Sequence, residues 1–142
     1  MTGGAYILVV DDEPDIGSLV RDILEDEGYQ VMVADCGEAA RQARRLRRPD
    51  LTLLDIWMPD TDGISLLKEW SDGGNLASPV IMMSGHGTVE TAVEATRLGA
   101  YDFIEKPLSL AKLLLTVQRA LQADKLYKEN IGLRRHMQPL VE

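Results

Sequence analysis

The sequence has one cysteine, two histidines and no apolar run that approaches the ~20 residues of a membrane span. The single Cys36 excludes an internal disulfide and is typical of a reducing cytoplasm. A cysteine nucleophile is disfavoured, because only His86 and His136 are available as its base. No secretory signal precedes the first predicted strand. These absences predict a cytoplasmic globular domain without a membrane anchor.

Positive charge is also scarce, with 15 Lys and Arg against 23 Asp and Glu and a net charge of −8. Phosphate contacts need a basic face, so this domain itself is not expected to bind nucleic acid. One cluster of arginines departs from this acidic balance. It is interpreted as the solvated face of a helix in preference to a docking patch. It consists of Arg41, Arg44, Arg45, Arg47 and Arg48.

The chain has 142 residues, which is long enough for one domain with a hydrophobic core. Short apolar runs alternate five times with amphipathic segments along it. Strands are predicted at residues 5–10, 30–34, 51–55, 80–84 and 101–105, each followed by a helix. Three runs are almost continuously apolar, as expected for parallel strands covered on both faces. The predicted buried helix faces include Leu19 in helix 1, Leu46 in helix 2, and Val89, Val93 and Thr96 in helix 4.

Polar residues follow these apolar runs where each strand ends. Asp11 and Asp12 follow the first run, Asp55 the third and Ser84 the fourth, and Lys106 comes just after the fifth. The carboxyl ends of parallel strands meet at one sheet edge, which is where open α/β sheets bind ligands. Three acids at one place repel each other unless a cation joins them. The pattern therefore predicts a site for Mg²⁺ or Mn²⁺ and an anionic ligand.

Asp55 is the strongest single candidate, because an acid at the end of a fully buried strand is costly without a partner. An aspartate is also able to act as a nucleophile and form an acyl phosphate. The Ser84 hydroxyl is interpreted either as a strand-end cap or as a donor to a phosphoryl oxygen. Lys106 is either a surface lysine or a point charge for the same oxygens. The Lys106–Pro107 bond is a candidate cis peptide.

These five residues, with the segments DIWMPDTDG (55–63) and Lys106–Pro107, resemble the receiver domain of bacterial two-component response regulators. The resemblance covers about residues 5–122. The segments SGHGT (84–88) and GAYDFIEKP (99–107) resemble receivers of nitrogen-regulatory, enhancer-binding transcription activators. The resemblance implies a flavodoxin-like, doubly wound, five-stranded parallel sheet in the order 2-1-3-4-5 with five helices.

The resemblance also implies a role for each site residue. Asp55 would accept a phosphoryl group from a sensor histidine kinase, while Ser84 and Phe103 would act as the switch pair. Phe103 departs from the more usual tyrosine, and its alternative is a plain core residue. Trp57 and His86 would flank the hydrolytic water and set the phosphoryl lifetime, and the alternative for His86 is a solvent-exposed loop residue without a role. The Mg²⁺ ligands would be the carboxylates of Asp11, Asp12 and Asp55 and the backbone carbonyl of Trp57.

The domain organisation is predicted as a receiver at residues 1–122 and a helical linker at 123–142, leading toward an absent effector domain. From residue 123 the apolar spacing fits a heptad, and a short coiled coil and a frayed linker both remain open. The heptad positions are Ala123, Asn130 and Met137 on one side, and Leu126, Leu133 and Leu140 on the other. A homodimer is expected through helix 4, strand 5 and helix 5, or through the C-terminal helix.

The main alternative is a Mg²⁺-dependent phosphatase with an aspartate nucleophile. A phosphatase of the haloacid-dehalogenase type needs a second aspartate two residues after the nucleophile, where this chain has Trp57. A flavodoxin-like cofactor binder needs a phosphate-cradling loop after strand 1, where Asp11, Asp12 and Glu13 would repel phosphate without a metal. A pure interaction module is disfavoured by the intact site. The expected function is therefore a phosphoacceptor switch rather than an enzyme.

Overall fold

A computed structural model describes residues 4–72, 78–85 and 89–141. Within these residues, strands and helices alternate along the chain as the apolar pattern predicts. The strands are β1 (Tyr6–Val10), β2 (Gln30–Ala34), β3 (Leu51–Asp55), β4 (Val80–Ser84) and β5 (Asp102–Glu105). The helices are α1 (Pro14–Asp26), α2 (Gly37–Leu46), α3 (Gly63–Asp72), α4 (Val89–Arg97) and α5 (Leu110–Val141).

The strands form one parallel sheet in the order β2-β1-β3-β4-β5, which confirms the predicted fold class. Every residue of β1, β3 and β4 is buried, because helices cover both faces of the sheet. Strand β2 lies at one edge. The carboxyl ends of β1, β3, β4 and β5 are therefore contiguous, and Asp35 at the end of β2 lies beside this row rather than within it.

The core has two halves, one on each face of the sheet. On one face, Val20 and Leu24 of α1 pack with Leu113 and Val117 of α5. On the other face, α2, α3 and α4 contribute small and branched residues, including Ala40, Leu66, Leu67 and Ala95. Helices α1 and α2 consequently lie on opposite sides of the molecule.

Two predicted core residues of α1 and α2 are exposed instead. Leu19 is 52% exposed, because the inward face of α1 is formed by Gly17, Val20 and Leu24. Leu46 is 88% exposed, because it is the last residue of α2 and lies beyond the part of the helix that contacts the sheet. Both predictions were wrong because helical spacing identifies an apolar stripe but not which edge of it meets the sheet.

The predicted buried face of α4 was also wrong, by a larger rotation about the helix axis. Val89 is 81% exposed, Val93 is 44% exposed, and Thr96 is also exposed. The helix instead packs through the small side chain of Ala95, with Leu98 just beyond the helix end. A short helix with few large apolar residues has a weak preference for one face, so tertiary packing decides its rotation.

Helix α5 runs as one continuous helix from Leu110 to Val141. It begins after Ser109, whose hydroxyl oxygen accepts the backbone N–H of Lys112 at 3.4 Å, as the predicted N-cap should. Leu126 and Tyr127 are exposed along its extension. The predicted heptad positions from Asn130 onward lie outside the residues whose side chains are described. No helix in the described ranges is long and apolar enough to cross a membrane.

Candidate functional site

Three carboxylates meet at the carboxyl edge of the sheet. Asp11 follows β1 and Asp55 ends the adjacent β3, where Val10 pairs with Leu54, so their side chains lie abreast. Asp11 and Asp55 are 1% and 4% exposed, whereas Asp12 is exposed. One carboxylate oxygen of each residue lies within 4.8 Å of the other two. The structure therefore brings together the three acids that the strand-end pattern singled out.

Lys106 reaches this cluster from the end of β5. Its backbone N–H donates to the Ser84 carbonyl oxygen at 2.9 Å, and the predicted cis Lys106–Pro107 peptide is present. Its Nζ lies 2.9 Å from Asp11 Oδ2 and 3.3 Å from Asp55 Oδ2. Burial alone would lower the pKa of Lys106, but these carboxylates raise it above the usual value. The side chain therefore remains an ammonium group.

One ammonium group does not balance the acids. Asp11 Oδ2 is buried and, although paired with Lys106, has no donor in hydrogen-bonding alignment among the described residues. Burial and then the charge of Asp11 raise the pKa of Asp55 to about 6. A hard divalent cation relieves both problems, because it takes carboxylate oxygens and retains water ligands. The donor set fits the predicted Mg²⁺ or Mn²⁺.

The raised pKa predicts how stability depends on pH without metal. An unfolded aspartate has a pKa of about 3.8, so the folded protein holds more protons between about pH 4 and pH 6. Ionisation of Asp55 therefore lowers the free energy of unfolding progressively as pH rises through this window. Above pH 6 the destabilisation by the buried carboxylate is complete and no longer changes with pH. In EDTA at pH 7.5, we expect Asp55→Asn to raise the free energy of unfolding by about 2 kcal/mol.

Urea unfolding of the wild type and Asp55→Asn at pH 4.0 and pH 7.5 tests this expectation. The two proteins should differ little near pH 4, where Asp55 is protonated in the folded state and only partly ionised in the unfolded state, and diverge at pH 7.5. A parallel pair, Asp35→Asn and wild type, controls for loss of an exposed strand-end acid. An Asp55→Asn variant that is no more stable than wild type at pH 7.5 contradicts the expectation.

The predicted switch residues lie on β4, which is next to β3, and on the edge strand β5. Ser84 is fully buried at the end of β4, one residue beyond Met83, which pairs with Asp55. Phe103 lies on the edge strand β5 opposite Met82 and packs, partly buried, against the core on the α4 side. Both positions suit a link between Asp55 and α4, and their role as a switch stays a prediction.

Trp57 and His86 were predicted to set the phosphoryl lifetime. Trp57 is 58% exposed in the loop after β3. It lines an open cavity of about 350 Å³ with Ile64 of α3 and Thr91 and Glu94 of α4. Its predicted effect on the phosphoryl lifetime stays a prediction. His86 lies outside the described residues.

Two acids contribute contacts that the sequence pattern did not assign. Glu13 Oε1 lies 3.3 Å from Lys106 Nζ, and its adjacency to Asp11 and Asp12 was the available signal. Asp60, in the loop between β3 and α3, accepts the backbone N–H groups of Gly37 and Glu38 at 2.8 and 3.0 Å. These hydrogen bonds lower the pKa of Asp60. Asp60 thus caps the N-terminus of α2, which begins at Gly37. No local spacing in the sequence predicts this cap, because 22 residues separate Asp60 from Glu38.

Comparison with known proteins agrees with this geometry. Residues 7–118 match the response regulator receiver domain family. This chain belongs to that family. The receiver domain is a signalling domain of two-component systems, so family membership favours the switch over the phosphatase alternative.

Relatives of this receiver are of the nitrogen-regulatory type, which confirms the predicted resemblance. The nitrogen assimilation regulatory protein NtrX of Azorhizobium caulinodans is 46% identical over 135 residues, covering 94% of this chain and 30% of that protein. The structure of Brucella abortus NtrX with ADP is 48% identical, with a TM-score of 0.86 over 92% of this chain and 30% of that one. The chain thus spans about a third of NtrX.

A beryllofluoride-activated NtrC4 receiver domain dimer is also similar, at 39% identity and a TM-score of 0.79. It covers 84% of this chain and 98% of the NtrC4 chain, so the comparison is between receiver domains of similar extent.

Proposed function

We propose that this receiver is a phosphorylation-driven switch in the cytoplasm. Asp55 accepts a phosphoryl group from a sensor histidine kinase, and the change passes through α4, β5 and α5 to an effector domain that regulates transcription. Residues 1–122 form the switch and residues 123–142 the linker to that domain. Contact with DNA belongs to the effector domain. The domain acts on itself during phosphorylation and dephosphorylation rather than turning over a separate substrate.

The observation that carries the proposal is the arrangement around Asp55. Its carboxylate belongs to an acidic cluster with Asp11 and Asp12, and Lys106 Nζ lies 3.3 Å from it and 2.9 Å from Asp11. A structural acid has no need for two further acids beside it, because like charges raise the cost of its burial. The cluster instead suits a site where a cation and a phosphoryl group bind together.

The chemistry follows from the side chains present. A carboxylate oxygen of Asp55 attacks phosphorus, a new O–P bond forms, and the bond from phosphorus to the donor nitrogen or oxygen breaks with its electron pair leaving on the donor. Asp55 Oδ1 accepts the Ile56 backbone N–H at 2.9 Å, which fixes the carboxylate orientation. Lys106 is positioned to bind a phosphoryl oxygen as a point charge, and Ser84 to donate a hydrogen bond to another.

Mg²⁺ or Mn²⁺, when bound, neutralises charge on the acids and on the transferring phosphoryl group. Asp11, Asp12, Asp55 and the backbone carbonyl of Trp57 would hold the cation. The buried oxygen of Asp11 that lacks an aligned donor supports its place in this set. Because Asp12 is exposed, it is the ligand for which solvent entry and metal exchange are easiest.

The output surface is supported by apolar side chains left exposed on α4, β5 and α5. Val89 and Val93 of α4, Tyr101 before β5, and Leu110 and Leu115 of α5 are each more than two-fifths exposed. Apolar groups in such number mark an interaction surface. We propose that a homodimer forms here, or through the α5 extension, and the dimeric NtrC4 receiver supports this proposal.

Incubation with acetyl phosphate and Mg²⁺, followed by intact-mass measurement, tests the proposal. We expect one adduct of about 80 Da, the mass of one phosphoryl group, and none in EDTA. Wild type that gains no adduct with either Mg²⁺ or Mn²⁺ would overturn the proposal. Steady release of phosphate from phosphomonoesters, without a stable adduct, would favour the phosphatase alternative.

Trp57 is expected to lengthen the phosphoryl lifetime. Trp57 follows Asp55 by two residues, and its large, exposed indole lines the α3–α4 cavity beside Ile56, so we expect it to limit the approach of water to phosphorus. Trp57→Asn should therefore lose its phosphoryl group on the order of ten times faster than wild type. The measurement is the decay of the adduct after the donor and Mg²⁺ are removed.

Trp57→Phe is the matched control, because phenylalanine retains a bulky apolar ring and should keep most of the lifetime. Trp70→Phe, a change in the other tryptophan at a distance from Asp55, should leave the decay unchanged. A Trp57→Asn protein that dephosphorylates no faster than wild type shows that the indole does not shield the phosphoryl group.

A further inference from the structure

Helix α2 and the two residues after it present a cationic surface that phosphorylation does not use. Arg44, Arg45, Leu46, Arg47 and Arg48, termed here the arginine face, line one open cavity of about 510 Å³. Arg44 stacks on Trp70 at 4.7 Å and Arg47 on Tyr6 at 4.2 Å. Stacking holds a guanidinium in place, and Arg47 also donates to Gln30 Oε1 at 3.0 Å, while Arg45 and Arg48 are exposed beside them.

The charge of the arginine face is largely uncompensated. Arg41, at its border, pairs with Glu69 at 2.8 Å and with Glu38 at 3.3 Å. Within the described ranges, no carboxylate forms an ion pair with Arg45, Arg47 or Arg48. Leu46, almost fully exposed, lies among these cations. An apolar residue surrounded by arginines matches the composition of a docking surface better than that of a solvated helix face.

The same chain carries a surface of opposite character on α1. Asp15, Leu19, Asp22 and Asp26, termed here the acidic stripe, follow helical spacing and are all exposed. The nearest cation is Arg21, whose Nε lies 3.7 Å from Asp22, and the last turn of α1 has no basic residue. The acidic stripe thus repeats the pattern of the arginine face, an exposed leucine among like charges, with the sign reversed.

We propose that the arginine face of one copy of this chain docks on the acidic stripe of a second copy. The carboxylates of Asp15 and Asp22 then meet the guanidinium groups of Arg45 and Arg48, while Leu19 packs against Leu46. A nucleic acid is the weaker occupant, because the chain has a net charge of −8 and a phosphate backbone has no group for Leu46.

The fold determines the form of the assembly. Helices α1 and α2 cover opposite faces of the sheet, so a single chain does not satisfy its own acidic stripe. Two different surfaces make the contact, which is therefore head-to-tail and gives a ring or an open chain rather than a closed dimer. This contact is separate from the α4, β5 and α5 surface and needs no phosphoryl group.

Sedimentation of the unphosphorylated chain tests the proposal through a charge swap. At about 20 mM salt the average mass should rise beyond that of a dimer with concentration, and at about 500 mM salt association should weaken at least tenfold, since screening shortens the Debye length. Arg45→Glu/Arg48→Glu and Asp15→Lys/Asp22→Lys should each form nothing larger than a dimer. Their equimolar mixture should associate, because each variant then meets a surface of opposite charge.

Arg119→Glu/Lys125→Glu is the matched control, since it makes the same change in net charge on exposed positions of α5 and should associate as wild type does. All substituted side chains are exposed, so melting temperatures should stay close to wild type. The proposal is overturned if wild type is monomeric at low salt, if either double variant still forms chains, or if the mixture does not associate.

Discussion

Replacing Asp55 with asparagine is expected to abolish the phosphoryl adduct, even after long incubation with acetyl phosphate and Mg²⁺. The asparagine amide is neutral and a far weaker nucleophile than a carboxylate, so the rate should fall at least about a thousandfold. Asp11 and Asp12 do not replace it, because the Ile56 N–H orients the carboxylate of Asp55 alone. Intact-mass measurement over several hours detects any remaining reaction.

Asp35→Asn is the matched control for this loss. Asp35 also follows a strand, yet β2 lies at the sheet edge, and Asp35 does not belong to the cluster of Asp11, Asp12 and Asp55. It should gain the adduct at the wild-type rate. Since Asp55→Asn is expected to be more stable than wild type without metal, unfolding does not account for its inactivity. A full adduct on Asp55→Asn would assign the phosphoacceptor elsewhere.

The fold and the acidic cluster were predictable because both follow from short-range patterns. Alternating apolar runs identified the strands, and residues that follow buried strands meet at one edge of a parallel sheet. The edge position of β2 then separates Asp35 from Asp55, although both acids come at the ends of apolar runs. This part of the site needed only chain order and strand direction.

Helix rotation and long-range caps were not predictable in the same way. Val89 and Val93 have the spacing of a buried face, yet the small Ala95 is the residue that packs inward. Which face of a short helix meets the sheet depends on the shapes of both surfaces, and one sequence segment does not contain this information. The contact of Asp60 with Gly37 joins the loop after β3 to the first residue of α2 and has no local spacing of its own.

Gly63 carries the second large effect that we expect, a severe loss of stability in Gly63→Ala. Gly63 begins α3, is buried, and donates its N–H to the Ile56 carbonyl oxygen at 2.7 Å. A β-carbon here would overlap the Asp55 carbonyl oxygen and lie 3.0 Å from its carbonyl carbon and 3.1 Å from the Ile56 Cα. These are backbone atoms, so no side-chain rotation relieves the overlap.

We expect Gly63→Ala to lose about 3 kcal/mol of unfolding free energy and about 10 °C in melting temperature. Alanine is the better helix former, so a loss of this size reports the overlap and not helix propensity. The protein that remains folded should be phosphorylated at least about ten times more slowly, because the displaced backbone carries Asp55. Gly85→Ala is the matched control: among the described residues its β-carbon would meet only the Lys106 Cβ, at 3.8 Å, so its stability should stay within about 0.5 kcal/mol of wild type. Gly63→Ala and Gly85→Ala with the same melting temperature would contradict this expectation. The backbone after β3 would then shift at little cost to accept the β-carbon, and the close packing of Gly63 would not hold Asp55 in position.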